Sequence, residues 1–343
     1  MEGNCTKTMT SSGDSSSSSN DESEKQLASL PKGDGWGLDD NLCLYQDFWV
    51  YSPQLKGVAE FQNDFEAFDS DILLSTLPKS GTIWLKSMAF AIVNRARYPV
   101  SSAEHPLLTS NPHHLVHNVE YYQSFGTCNS LSDFVSTQYS ADTSRLLATH
   151  MPYHSLPESL KSHTSSSKIV YLCRNPKDNF ISLWNYLNKR GPNITNPFPI
   201  EKAFDLFCNG ISLFGPVWDN VLGYWKASLE NPEKVLFLKY EDLKKEPKSH
   251  LKKLAEFLGF PFSVEEEKGQ VIEDILKLSS FEFMKSLLVN KEGSVNGLGF
   301  ENKIFFRKGE VGDWKNQLTS SMVERIDGLF EEKLRGSGLV FES

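Results

Sequence analysis

The 343-residue chain carries 35 Lys and Arg against 44 Asp and Glu, a formal net charge of -9, and is 39% hydrophobic and 23% charged. This is ordinary globular material, and its acidic balance argues against a nucleic-acid partner, which favours a basic field. No apolar run approaches the ~18 residues of a membrane-spanning helix, so a soluble protein without a membrane partner is expected. The first thirty residues are Ser-rich, carry Asp14, Asp21, Glu22 and Glu24, and contain no arginine. They match neither a secretory signal nor a transit peptide, which points to a cytoplasmic location, and residues 1–30 read as a disordered acidic tail. Cys5, Cys43, Cys128, Cys173 and Cys208 show no C-x-x-C spacing and read as reduced thiols.

After an aromatic-rich entry from Trp36 to Tyr51, four short apolar runs read as strands: Ile72 to Leu77, Arg145 to Thr149, Lys168 to Cys173 and Val235 to Tyr240. Helical patterns separate them. The expected fold is α/β, with a central parallel sheet flanked by helices. Ligands of such sheets bind outside the carboxyl ends of the strands. Those positions hold Pro78-Lys79-Ser80, His150, Arg174 and Glu241-Asp242.

The first junction, Thr76-Leu-Pro-Lys-Ser-Gly-Thr-Ile-Trp84, looks like a nucleotide P-loop in the wrong order, because Lys79 precedes Gly81 and no glycine opens the loop. Trp84, Leu85, Met88, Ala89, Ile92 and Val93 make an apolar stripe on a helix running to about Arg97, with Lys86, Asn94 and Arg95 elsewhere. The loop is therefore a strand-to-helix turn whose free N–H groups favour an anion. Ser80 and Thr82 would add hydroxyl donors and Lys79 a point charge. The alternative is a plain turn with a solvated lysine.

The second junction, Tyr171-Leu-Cys-Arg-Asn-Pro-Lys-Asp178, predicts a helix with Asn175 as N-cap and Pro176 at its first position. Phe180, Ile181, Trp184 and Leu187 form its apolar stripe, and Asp178, Ser182 and Asn185 its polar face. Arg174, ending a buried strand, needs an anion: a carboxylate of the fold or a phosphate of a ligand. Near the C-terminus, Arg307 and Lys308 precede Gly309 in Phe305-Phe-Arg-Lys-Gly-Glu-Val-Gly-Asp-Trp314. Three separated basic elements suggest more than one phosphate group, although a structural ion pair or a solvated loop explains each taken singly.

Together these segments resemble the cytosolic sulfotransferase family, which moves a sulfuryl group from 3'-phosphoadenosine 5'-phosphosulfate to small acceptors. The resemblance covers Pro78-Lys-Ser-Gly-Thr-Ile-Trp84, Tyr171 through Ser182, Leu238-Lys-Tyr-Glu-Asp-Leu243, Ser280-Phe-Glu282, Arg307-Lys-Gly309 and Gly312-Asp-Trp314, in family order from about residue 36. The Ser-rich tail and His105-Pro-Leu-Leu-Thr-Ser-Asn-Pro112 look most like the plant branch. The resemblance implies one P-loop-like sulfotransferase domain over residues 31–343. It places the 5'-phosphosulfate at Lys79, Ser80, Gly81, Thr82, Ile83 and Trp84, and the 3'-phosphate at Arg174, Ser182, Arg307, Lys308 and Gly309. Tyr240, Ser279 and Phe281 would contact the adenine. His150, in Leu147-Ala-Thr-His-Met-Pro-Tyr153, matches the catalytic base, Lys79 would stabilise the leaving group, and Ser182 could restrain Lys79 until acceptor is bound. No metal is required.

Four departures from the family pattern stand out. Ile83 replaces a threonine, Ala148 stands where many animal members have a lysine, and Ser279 replaces a threonine. The segment Lys285 to Ser294 lacks the animal dimer motif, so a monomer is expected. A P-loop kinase, which wants a metal-binding acid such as Glu241 or Asp242, and a non-catalytic nucleotide-binding module are the rival readings. His113, His114 and His117 lack the companion ligands of a zinc site. The resemblance implies a small plant metabolite as acceptor, with a flavonol or hydroxyjasmonate favoured over a steroid or other phenolic. Tyr153, Trp184, Tyr186 and Phe214 could line its pocket.

Overall fold

The computed structural model describes residues 29–37, 42–124, 130–138, 144–190, 197–295 and 300–342. Most of the expected N-terminal tail lies outside the described residues. A small antiparallel sheet joins β1 (Lys32–Gly33), β2 (Leu42–Tyr45) and β3 (Phe48–Tyr51). The central sheet joins β4 (Ile72–Thr76), β5 (Leu146–Thr149), β6 (Lys168–Cys173) and β7 (Val235–Lys239) in the order β5-β4-β6-β7. Every pairing in it is parallel, with Leu74 opposite both Ala148 and Val170, and Leu172 opposite Leu238.

Alternate residues of these strands face two apolar layers, as the period of a strand requires. Leu73, Leu147, Ile169, Tyr171 and Val235 pack with α2 (Pro176–Leu187), α3 (Val217–Glu230) and α6 (Ser320–Leu334). Ile72, Leu74, Ala148, Val170, Leu172 and Leu238 pack with α1 (Thr82–Asn94), α4 (Pro247–Phe257) and α5 (Val271–Ser279). The strands expected from sequence match to within a residue at each end, and α1 stops three residues short of Arg97. In α1 the buried stripe includes Leu85, Met88, Ala89 and Ile92, while Trp84 and Val93 are only partly buried. Lys86, placed off the apolar stripe, is nevertheless fully buried. Cys43, Cys173 and Cys208 are free thiols.

At the edge of the sheet away from the strand carboxyl ends, Asp71 and Arg145 tie together the starts of β4 and β5. Arg145 donates from Nε (2.6 Å) and Nη2 (2.5 Å) to the two carboxylate oxygens of Asp71, and its guanidinium lies 3.8 Å from the centre of the Phe68 ring. The side chains are 9% and 1% exposed, so removing one partner strands a charge in the interior. Arg145→Met is expected to cost about 3–5 kcal/mol of unfolding free energy, read from urea denaturation. An unchanged midpoint would contradict this role for the pair.

Candidate active site

A cavity of about 330 Å³ opens at the carboxyl ends of the four parallel strands. Lys79 follows β4, His150 follows β5, Arg174 follows β6 and Tyr240 follows β7, and all four line it. Gly81, Thr82, Ile83 and Trp84 join them from the first loop, Ser182 from α2, Ser279 from the end of α5, and Phe281, Arg307, Lys308 and Gly309 from the C-terminal segments. Of the catalytic and cofactor-binding residues expected from sequence, Ser80 alone does not line it. Its hydroxyl accepts from Asn179 Nδ2 (3.1 Å) and its N–H donates to the Leu77 carbonyl (3.1 Å). Its side chain, 1% exposed, meets Asn179 behind the loop.

The loop itself is shaped by two residues with positive φ, Lys79 at 69° and Gly81 at 107°. A β-carbon at Gly81 would stand 2.9 Å from the Tyr240 ring and 3.1 Å from Leu172, so glycine meets both the conformational and the steric demand. A non-glycine residue such as Lys79 in this region carries strain, which a surrounding structure retains where function uses it. Its ammonium lies 4.5 Å from the centre of the Tyr186 ring and 5.7 Å from that of Phe305. Burial, and then repulsion from Arg174, Arg307 and Lys189, bring its pKa down to about 7. The solvated-lysine reading of this turn is therefore set aside. Thr82, at the start of α1, shares a hydrogen bond of 2.7 Å with Thr76.

Arg174 is held by oxygens that do not neutralise it fully. It donates to the carbonyls of Glu310 (2.6 Å) and Lys79 (3.4 Å), lies 3.7 Å from the Asp178 carboxylate, and stands 4.8 Å from the centre of the Tyr240 ring. Asp178, expected on a polar face, is buried because that face receives the C-terminal loop. Its carboxylate accepts from the N–H groups of Gly312 (2.7 Å) and Trp314 (3.2 Å). Arg307 and Lys308 both bond to the buried carboxylate of Asp313, which turns a solvated charge pair into a clamped one. Gly309 presses so closely on Phe281 that a β-carbon there would lie 2.6 Å from the ring, and its carbonyl accepts from the Tyr240 hydroxyl (3.0 Å). Nε of Arg174 and Nε of Arg307 are buried without a hydrogen-bond partner. A buried basic cluster that leaves guanidinium N–H groups unmet suits a ligand with more than one anionic group.

Beside this basic region the cavity offers flat apolar walls. Trp84 meets Tyr240 edge-on at 5.3 Å between ring centres, and Phe281 lies 6.0 Å from Phe306. The Ser279 hydroxyl donates within its own helix to the Ile275 carbonyl (2.7 Å). Of the four residues expected around an acceptor, Tyr186 lines the cavity. Tyr153 packs on Tyr224 in the core, and the Trp184 indole N–H donates to the Phe198 carbonyl. Phe214 is fully buried behind His150, with ring centres 5.5 Å apart.

The His150 ring is oriented by Nδ1, which lies 2.6 Å from the Thr76 carbonyl oxygen. A carbonyl only accepts, so Nδ1 carries the proton and Nε2 keeps its lone pair. Burial lowers the pKa of His150 to about 3, against the opposing effect of that carbonyl, and the ring is neutral at pH 7. Its backbone N–H donates to Glu120 (2.9 Å), a buried carboxylate that also accepts from Asn118 Nδ2 (3.0 Å). Asn118 in turn accepts from Lys86 Nζ (2.5 Å). Asn118, Tyr121 and His113 line the cavity, and the sequence reading gave none of them a place in it. They come from two short helical turns, Pro112–Leu115 and Val119–Ser124, and the link between them, each too short to show a period; the link runs alongside β5, where the Ala148 N–H donates to the His117 carbonyl (2.8 Å). The rival metal-binding acid, Glu241, instead accepts from the Asn175 N–H (2.9 Å). Among the described residues no group of three or more His, Cys, Asp or Glu could hold a metal ion, and no helix is long and apolar enough to cross a membrane.

The family model described as "Sulfotransferase domain" matches residues 69–338, the span that holds the whole central sheet and the cavity's cations. The chain belongs to the sulfotransferase family. Cytosolic sulfotransferase 12 of Arabidopsis thaliana is 49% identical over 325 residues, covering 94% of this chain and 94% of that protein. Flavonol 4'-sulfotransferase of Flaveria chlorifolia is 46% identical over 302 residues, covering 88% of this chain and 90% of that protein. Among solved structures, an Arabidopsis thaliana putative steroid sulphotransferase has a TM-score of 0.72 at 41% identity, covering 95% of this chain and 98% of the other. Mouse sulfotransferase SULT7A1 complexed with PAP has a TM-score of 0.67 at 28% identity, covering 86% of this chain and 95% of the other. The protein is a sulfotransferase of the plant cytosolic type, and the fold expected from sequence is the one observed.

Burial of the site has a consequence for stability. His150 and His117 are both lowered to about 3, largely by burial, whereas an unfolded histidine titrates near ~6.5. Below pH ~6.5 the unfolded chain takes up protons that the folded chain refuses. Stability is therefore whole above that pH and falls toward pH 3, by up to about 1.4 kcal/mol per pH unit for each histidine. Glu120, whose pKa burial raises, works in the opposite direction. His150→Gln is expected to reduce the slope of unfolding free energy between pH 6.5 and 5, measured by urea titration. An identical slope would show that the ring is not held neutral by the fold.

Proposed function

We propose that this sulfotransferase takes 3'-phosphoadenosine 5'-phosphosulfate at the basic end of the cavity and sulfates a hydroxyl of a small plant metabolite at the end lined by Tyr121, His113 and Tyr186. The observation that carries the reading is the convergence of Lys79, Arg174 and Arg307 beside a histidine whose Nε2 lone pair is kept free. On this reading Lys79, Ser80, Gly81, Thr82, Ile83 and Trp84 form the loop that receives the 5'-phosphosulfate. Arg174, Ser182, Arg307, Lys308 and Gly309 receive the 3'-phosphate, and Trp84, Tyr240, Ser279 and Phe281 surround the adenine. Two anionic ends account for basic groups that arrive from three separate segments.

The chemistry then follows from charge. As the acceptor oxygen attacks sulfur in line, negative charge grows on the oxygen that bridges sulfur to the departing 5'-phosphate. A cation at that oxygen binds the transition state better than the ground state, and Lys79 takes this role. His150 Nε2 accepts the acceptor's proton, while Nδ1–H stays bonded to Thr76. Anions in the cavity raise the basicity of His150 and restore the ammonium of Lys79, because nearby negative charge favours both protonated forms. With Ala148 in place of the lysine common in animal members, the proton transfer rests on His150.

For the acceptor, the Flaveria relative's name supports a flavonol. Arg190, at the cavity wall, supports a hydroxyjasmonate, which brings a carboxylate. A steroid or another phenolic hydroxyl remains within the same class. The relatives named cytosolic support a cytoplasmic location, and the missing animal dimer motif supports a monomer. We read residues 31–343 as one sulfotransferase domain.

His150→Ala separates catalysis from binding. Turnover is expected to fall by about 10²–10⁴, the usual worth of a positioned base. Affinity for 3'-phosphoadenosine 5'-phosphate, measured by calorimetry, is expected to stay within about threefold. Full turnover in this variant would remove His150 from the role of base, and a matching loss of nucleotide affinity would make it a binding residue.

A further inference from the structure

Lys86 is the group in this region that the mechanism leaves unused. It is fully buried on α1, and its charge has no directly bonded carboxylate among the described contacts. Burial lowers its pKa to about 7, with Glu120 acting in the opposite sense. Its Nζ donates to Asn118 Oδ1 (2.5 Å) and reaches His113 Nδ1 (3.0 Å). When Lys86 carries its proton it has donors only, so in that form Nδ1 of His113 accepts and the ring proton sits on Nε2. The pKa of His113 lies well below its ordinary value, through burial and then the charge of Lys86, and the ring is neutral. His113 lines the cavity with its ring 4.7 Å from that of Phe305, which also neighbours Lys79.

Two neutral histidines therefore line one cavity in opposite tautomers, each imposed by a fixed partner. His150 faces the Thr76 carbonyl and keeps a lone pair on Nε2, whereas His113 faces the Lys86 ammonium and keeps a proton on Nε2. A bonded chain joins them: His113 to Lys86, Lys86 to Asn118, Asn118 to Glu120, and Glu120 to the backbone N–H of His150. We propose that Lys86 is a positioning residue that locks His113 as a hydrogen-bond donor, and that His113 thereby selects acceptors bearing an oxygen lone pair beside the hydroxyl that is sulfated. Such acceptors are ortho-oxygenated phenols, or enols and alcohols flanked by a carbonyl. His150 takes the proton of the reacting hydroxyl, and His113 donates to the neighbouring oxygen. A pocket built to pair with a polar group discriminates against ligands lacking it, because its own donor is then left unmet.

The inference rests on His150 marking the reacting hydroxyl, and its test has one arm that does not. Nitrogen NMR of the full chain labelled at histidine, with His113→Gln to assign the signal, is expected to show His113 protonated on Nε2 at neutral pH, and Lys86→Met to release it into a mixture of tautomers. In the second arm, 2-methoxyphenol and 4-methoxyphenol have the same atoms and differ in whether an oxygen adjoins the hydroxyl. The wild-type enzyme is expected to favour the 2-isomer in kcat/KM by about five- to tenfold, the worth of one neutral hydrogen bond. His113→Leu and Lys86→Met should bring that ratio to about one, while His113→Gln, which keeps a donor, should retain part of it. A His113 proton on Nδ1, a wild-type ratio near one, or a preference that survives His113→Leu overturns the proposal. A failure of His150 as base would leave the NMR result untouched.

Discussion

The structure depends on holding like charges together. Lys79, Arg174 and Arg307 are brought to one cavity by three different segments, and burial first, then their repulsion, lowers the pKa of Lys79. Such a cluster needs internal supports that restrain the cations without cancelling them. Asp178 provides one by gripping the backbone of Gly312 and Trp314, which carries Arg307 and Lys308 toward Arg174. Asp313 provides another by bonding both Arg307 and Lys308 from a buried position. The parallel sheet supplies the remaining constraint, since its strands all end on the side where the cations gather.

That sheet was legible because buried parallel strands are short apolar runs, and the runs at 72–77, 145–149, 168–173 and 235–240 are each closed by a turn. The positions beyond the strands were legible for the same reason, and so Lys79, His150 and Arg174 were read at one edge, while Tyr240, read as the end of its strand, begins the helix that follows it. Residues read by type and spacing alone were less secure. Ser80 sits in a loop of hydroxyls, yet its side chain is used by Asn179 to hold the turn, a tertiary contact with no local signature. Lys86, off the apolar stripe of α1, is nevertheless fully buried, because the partners that cover it are remote in sequence. Its burial is made tolerable by Asn118 and His113, about thirty residues on in the chain.

The segment from His113 to Tyr121 shows most clearly what periodicity leaves unread. It adds a pairing beside Ala148, brings Glu120 under His150, and sets His113 and Tyr121 in the cavity wall. None of this follows a period of two or of 3.6. The replacement at Ala148 gains meaning from the same segment: where many animal members place a lysine on the strand, this chain places its buried lysine on the neighbouring helix. On the proposed reading, donor and acceptor share one cavity but rest on separate supports, Asp178 and Asp313 for the former and the Lys86–Asn118–Glu120 chain for the latter.

The central claim is that the phosphates are held while the sulfuryl group moves. It is tested most directly with donor labelled at sulfur in one preparation and at the 5'-phosphorus in another, each incubated with the enzyme and a flavonol acceptor. The account predicts that the sulfur label passes to the acceptor and that the phosphorus label stays with the nucleotide. Phosphorus label in the acceptor would contradict it.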